Sequence, residues 1–210
     1  MREKNRIITK KLGEAFGAHP AVIGWQIDNE IFPYNEGCYC EKCRAGFRAY
    51  LKEKYGTPEN LNKKWGMARW SLAYKSFDEV IPPVRGRWEH PSLQTEWTRF
   101  HCRNIVSYVN EQAEVLHQYT KAPVGTDMMA TNLLSYEETN RQLDVVQYNH
   151  YEPAAELGRM SFAYDFLRTV KDKPFWVTET QAGWNGSTFA EFGYRPAGAC
   201  YANTWPPVAR

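Results

Sequence analysis

The chain lacks any run of about 18 apolar residues, so no segment of it reads as a membrane-spanning helix. The short apolar core of a secretory leader is missing too, because the opening MREKNRIITKKLGEAF is a charged stretch with helical apolar spacing. No glycine-rich phosphate loop follows any strand-like run, which removes the nucleotide-binding signature of doubly wound sheets. There is little excess charge: 26 Lys and Arg against 24 Asp and Glu leave +2, too weak a field to recruit nucleic acid or an anionic bilayer. Cysteine is scarce and odd in number, five in all, with Cys102 and Cys200 isolated from a cluster at Cys38, Cys40 and Cys43. That count suits a disulfide framework poorly and points to a reducing, cytoplasmic setting. Neither an internal repeat nor a low-complexity linker divides the chain. What remains is a soluble globular protein with no nucleic-acid or membrane partner.

Its 210 residues, 43% of them apolar, are enough for one domain with a real core. Aromatic residues are plentiful, with 8 Trp and 13 Tyr. Both types carry a polar handle on an apolar ring, which suits wet binding surfaces. A sugar, apolar on its ring faces and hydroxylated at its edges, fits such a surface, although many of these rings serve simply as core.

Strand-like and helix-like segments alternate. Ile7, Ile8, Leu12, Ala15 and Phe16 recur at helical spacing and stop at Gly17, after which VIGWQI at 22–27 reads as a buried strand. Residues 41–55 form a helix ending at Gly56, Thr57-Pro58 restarts a short one, 81–91 is a loop, and a long helix covers 93–119. Short β-rich runs at 123–127 and 144–151 flank a capping box at Ser135-Tyr-Glu-Glu138; a helix at 162–170 and the strand FWVTE at 175–179 follow. Continuously apolar strands alternating with helices predict a parallel sheet covered on both faces. Each strand ends in polar groups: Asp28-Asn29-Glu30, Asp127, Asn149-His150 and Glu179. A (β/α)8 barrel builds its active site in this way. The fold class expected is therefore α/β, a partial TIM barrel. Four β-α units make half a closed barrel, and no further strand follows before Trp205-Pro-Pro-Val-Ala-Arg210, so the chain reads as a fragment of one.

Retaining glycoside hydrolysis needs one carboxyl to protonate the leaving oxygen and a second to attack the anomeric carbon. Glu30 and Glu179, each closing an apolar strand, are the candidate pair. The three cysteines of C-x-C-x-x-C place three thiolates within six residues, able to hold one soft cation if a fourth ligand arrives; zinc is the natural candidate. Cys102 lies in a helical pattern and reads as a buried apolar residue.

The segments GWQIDNE, CYCEKC, LNKKWGMARWSLAYKSFDEVIPP and WVTETQAGWN, in that order, resemble glycoside hydrolase family 42, the β-galactosidases of a clan of retaining (β/α)8 hydrolases. The resemblance covers essentially the whole chain. It implies that residues 1–210 are a fragment of a single catalytic barrel domain, strands four to seven with their helices, carrying a cysteine-cluster and Trp-rich insertion at about 36–91. It implies Glu30 as acid/base, Glu179 as nucleophile and Asn29 as the residue bonding the sugar 2-hydroxyl. Trp70 and Trp184 would wall the sugar pocket, and Tyr151 would stand beside the nucleophile. Asn149-His150 replaces a more usually acidic run and leaves that last role open between Tyr148 and Tyr151. The implied partner is a terminal β-D-galactoside or oligosaccharide, with no cofactor for catalysis and a homotrimeric assembly. Family members with this cysteine spacing bind a structural zinc through the three cysteines and a fourth from an earlier segment. Rival readings are a mannoside- or glucoside-cleaving member of the clan, and a sugar-binding barrel remnant without turnover.

Overall fold

The computed structural model describes residues 1–31, 37–84, 86–129, 134–151, 157–180 and 197–210, with the side chains of Trp70 and Leu157 left out. Two compact units emerge: Met1–Phe32 with Ile105–Arg210, and Pro33–Asn104.

In the first unit, helix α1 (Arg2–Phe16) leads into strand β1 (Trp25–Gln26). In the second, α2 (Glu41–Tyr55) and α3 (Pro58–Trp65) precede 3-10 turns at Met67–Trp70 and Phe77–Glu79. Helix α4 (Pro91–Leu116) contributes to both units. The first unit then continues through β2 (Val124–Gly125), β3 (Asp127–Met128), α5 (Tyr136–Asn140), β4 (Gln147–His150), α6 (Leu157–Lys171), β5 (Trp176–Thr180) and α7 (Ala199–Val208). No helix among the described residues is long and apolar enough to cross a membrane.

All pairings are parallel and follow chain order: β1 beside β2, and β3 beside β4 beside β5. Thr126 alone separates β2 from β3, so these strands form one run that joins the two small sheets. A doubly wound sheet would reverse its strand order at a switch point. None occurs among the described strands, and a steadily advancing order is what a barrel wall requires. Curvature is visible in one contact: Gln147 Nε2 of β4 donates to the Trp25 carbonyl of β1 at 3.1 Å, reaching across the intervening run. Glycine makes the room, since a Cβ on Gly125 would sit 2.8 Å from Gln147 Cδ.

Helices cover the outside. Ile27 and Val124 pack with Val109, Ala113 and Leu116 of α4, while Val146 and Tyr148 pack with Met160, Tyr164 and Leu167 of α6. The second unit has its own core, Phe47, Leu51, Leu61, Trp65, Met67, Val80, Leu93 and Trp97. Thr57 starts α3 by accepting from the Asn60 amide at 3.2 Å. Glu96, only 3% exposed, holds that unit together electrostatically by accepting from Lys54, Arg99 and the Tyr50 hydroxyl.

Several elements differ from the sequence expectation. The run 22–27 pairs only at Trp25–Gln26, and 123–127 divides at Thr126 into β2, which pairs with β1, and β3, which pairs with β4. α1 has the expected extent, but Thr9 and Gly13 face inward while Ile7, Ile8, Leu12 and Phe16 are exposed. Gly13 approaches the Tyr119 ring so closely that a Cβ would lie 2.8 Å from it, which selects the inward face by shape rather than by hydropathy. α7 has no counterpart in the sequence reading, which found no further strand there; its last turn carries Pro206 and Pro207, which have no amide to donate.

Candidate active site

The segment after β1 carries the first carboxylate in an unusual backbone. Asp28 and Glu30 have φ of 59° and 45°, left-handed values that cost a non-glycine residue about 1–3 kcal/mol each unless neighbours hold them. Three side chains supply the hold. Thr126 Oγ1 donates to the Ile27 carbonyl at 2.7 Å, Gln112 Nε2 of α4 donates to Asp28 Oδ2 at 3.2 Å, and the Glu30 amide donates to Asp127 Oδ1 at 2.9 Å.

The second carboxylate is placed by a bulge. Gln147 pairs with Trp176 and Tyr148 with Val177, but Asn149 then pairs with Glu179, so Thr178 is the extra residue of β5. A bulge shifts the register by one and re-aims the side chains beyond it. Thr178 Oγ1 consequently donates to Asn149 Oδ1 at 3.0 Å, while Glu179 sits opposite Asn149.

These two devices bring Glu30, Asp127 and Glu179 together, with carboxylate oxygens all within 4.8 Å of one another. Asn149 Nδ2 bridges two of them, donating to Glu30 Oε1 at 2.9 Å and to Asp127 Oδ2 at 2.8 Å. The Tyr151 hydroxyl donates to Glu179 Oε2. Burial raises the Asp127 carboxyl above the usual carboxylate range; its hydrogen bonds from the Glu30 amide and Asn149 oppose this, and the charges of Glu179 and Glu30 add to it. Burial likewise raises the Tyr151 phenol, reinforced by its bond to Glu179, so it stays a donor throughout the neutral range.

Of the residues named from sequence, Glu30, Glu179 and Tyr151 converge here. Tyr148 is instead buried in the core against α6, which separates the two tyrosines. Asn29 is exposed beside Glu30, its side-chain oxygen accepting from Gln26 Nε2 at 3.3 Å. Trp184 lies outside the described residues. Trp70 falls in the Met67–Trp70 turn of the second unit, and its side chain is likewise outside the described set. Asp127, Asn149 and Thr178 were missing from the sequence-derived site. The first two were visible as polar strand ends, but their contacts depend on the bulge and the left-handed turn.

In the second unit, the sulfur atoms of Cys38, Cys40 and Cys43 lie within 4.8 Å of one another. Cys102 is buried on α4, as its helical setting implied. A cavity of about 650 Å³ beside β5 is lined by Phe175, Trp176, Asn203 and Pro207 among others; none of the three clustered carboxylates lines it, so the volume does not mark the chemistry.

Known proteins share this architecture. The chain is 32% identical over 188 residues to Beta-galactosidase YesZ of Bacillus licheniformis, matching 89% of this chain and 28% of that protein. The crystal structure of a beta-galactosidase from Bacillus circulans sp. alkalophilus matches 99% of this chain and 32% of its own, with a TM-score of 0.89 and 27% identity. A glutamate-to-alanine catalytic mutant of Gan42B, a GH42 beta-galactosidase from G. stearothermophilus, matches the same 99% and 32% with a TM-score of 0.85 and 26% identity. The chain thus spans about 28% of the length of a curated relative it matches. The family model described as Beta-galactosidase matches residues 1–210 from end to end, and the chain belongs to that family, glycoside hydrolase family 42.

Proposed function

We propose that the full-length enzyme hydrolyses terminal β-D-galactosides with retention, Glu179 acting as nucleophile and Glu30 as acid/base. The observation that carries this reading is that one carboxylate oxygen of Glu30 lies within 4.8 Å of one of Glu179. Such proximity suits the roughly 5–5.5 Å between the carboxyl groups of retaining glycosidases.

The neighbours fit the division of roles. The Tyr151 hydroxyl donates to Glu179 Oε2 and orients that carboxyl, as a nucleophile requires. Glu30 stands opposite Glu179, where the second carboxyl of a retaining pair belongs. In the first step Glu179 attacks the anomeric carbon while Glu30 protonates the departing oxygen, giving a glycosyl ester on Glu179. In the second, Glu30 takes a proton from water, the water oxygen bonds to the anomeric carbon, and Glu179 leaves. A glutamate substitution makes the G. stearothermophilus relative a catalytic mutant, in keeping with glutamate chemistry. By family resemblance Asn29 bonds the 2-hydroxyl, and Trp70 and Trp184 wall the pocket. β1, the β2–β3 run, β4 and β5 are then the fourth to seventh barrel strands, a numbering supported by their sequential parallel order.

Zinc is a structural matter on this reading. Thiolates about 2.3 Å from a tetrahedral zinc stand roughly 3.8 Å apart, a spacing that fits Cys38, Cys40 and Cys43 with sulfurs inside 4.8 Å. Those three would hold the ion with a fourth ligand, and the ion would tie down the loop without entering the reaction.

The test is turnover of a panel of nitrophenyl glycosides by the full-length enzyme, with the first-formed anomer followed by proton NMR. Preferential cleavage of the β-galactoside to the β-anomer is expected. Preference for a glucoside or mannoside, or release of the α-anomer first, contradicts the reading.

A further inference from the structure

Asp127 has no part in the double displacement, yet it is fully buried, 0% exposed, in contact with the acid's own backbone. Its oxygens divide between two donors: Oδ1 accepts the Glu30 amide at 2.9 Å and Oδ2 accepts Asn149 Nδ2 at 2.8 Å. Asn149 Nδ2 closes the ring by donating to Glu30 Oε1 at 2.9 Å, and Thr178 fixes the amide's orientation by donating to its Oδ1 at 3.0 Å. The orientation matters, because it leaves the NH2 end, and not the carbonyl, facing both carboxylates. Backbone and side chain of Glu30 are therefore tied to the same buried group.

We propose that Asp127 is a positioning residue for the acid step, clamping the left-handed backbone of Glu30 and, through Asn149, aiming its carboxyl at the leaving oxygen. The proposal rests on the reading of Glu30 as the acid. Only a carboxylate meets the geometry: two N–H donors converge on one side chain, and an amide there would offer one acceptor and one further donor. Both contacts come from N–H groups, so neither needs a proton on Asp127.

The experiment compares Asp127→Asn, Asn149→Ser and Glu30→Gln in the full-length enzyme on lactose and on 2,4-dinitrophenyl β-galactoside, whose leaving group needs little protonation. Asp127→Asn should lose about tenfold or more in kcat/KM on lactose and under about threefold on the aryl substrate. Equal losses on both substrates overturn the proposal. If Asp127→Asn does not fold by circular dichroism, Asn149→Ser must show the same bias against lactose, and equal losses there overturn it. Glu30→Gln separates the two levels. A strong bias in Glu30→Gln without one in Asp127→Asn sinks the clamp alone, whereas no bias in Glu30→Gln sinks the acid assignment and the clamp with it.

Discussion

Glu30 and Glu179 present carboxylate oxygens within 4.8 Å of each other although their strands, β1 and β5, lie at opposite ends of the described strand order. Side chains from the two ends of a flat sheet could not meet in this way. The left-handed turn at Asp28 and Glu30 and the register shift between Tyr148 and Asn149 place them there.

Replacing Glu179 with alanine removes the proposed nucleophile while leaving the space it filled. Activity should fall by about 10⁴-fold or more, and azide should restore turnover by attacking from the vacated side, giving the α-galactosyl azide. Product analysis by NMR checks this. A β-configured azide would be inconsistent with Glu179 as nucleophile.

Tyr151→Phe deletes the phenol that donates to Glu179. We expect kcat to fall by about 10- to 100-fold with KM little changed, since the ring and its packing remain. Steady-state kinetics check this, and an unchanged kcat would show that the phenol plays no part in placing the nucleophile.

Glu96 sets an acid limit for the second unit. Burial pushes its carboxyl up, but hydrogen bonds from Lys54, Tyr50 and Arg99 outweigh that and leave it below the ordinary value. A depressed carboxyl contributes stability that is present above the unfolded pKa, about 4.3, and lost as pH falls through the folded value. Melting temperature should therefore drop on acidification below about pH 4. Glu96→Gln should cost about 1–3 kcal/mol at pH 7 and flatten that slope. An unchanged slope in the variant would show that other groups set it.

The cysteine cluster should retain about one zinc per full-length chain. Chelation, or Cys43→Ser, should lower the melting temperature without changing the leaving-group dependence of turnover. Elemental analysis of reduced protein that finds no zinc would remove the proposal.

How far the sequence spoke depended on the range of each interaction. Glu30 and Glu179 were legible because each closes an apolar strand, a local pattern that the fold turns into a shared site. Asp127 and Asn149 were visible only as polar strand ends. Their bonds to Glu30 arise from a left-handed φ and a bulge, neither of which leaves a mark in composition or period. The choice between Tyr148 and Tyr151 stayed open because Asn149-His150 stands where the family's run is more usually acidic. The helical spacing that marks α1 does not tell which face turns inward, and it is Gly13 that approaches the Tyr119 ring.

The central claim is that Glu179 forms the covalent bond, and trapping that bond tests it most directly. Incubating the full-length enzyme with a 2-deoxy-2-fluoro-β-galactosyl fluoride slows breakdown of the glycosyl ester, so that peptide mass spectrometry can locate the label. The account predicts one fluorogalactosyl group per chain, on Glu179. A label on Glu30 or Asp127, or time-dependent inactivation without any label on Glu179, would contradict it.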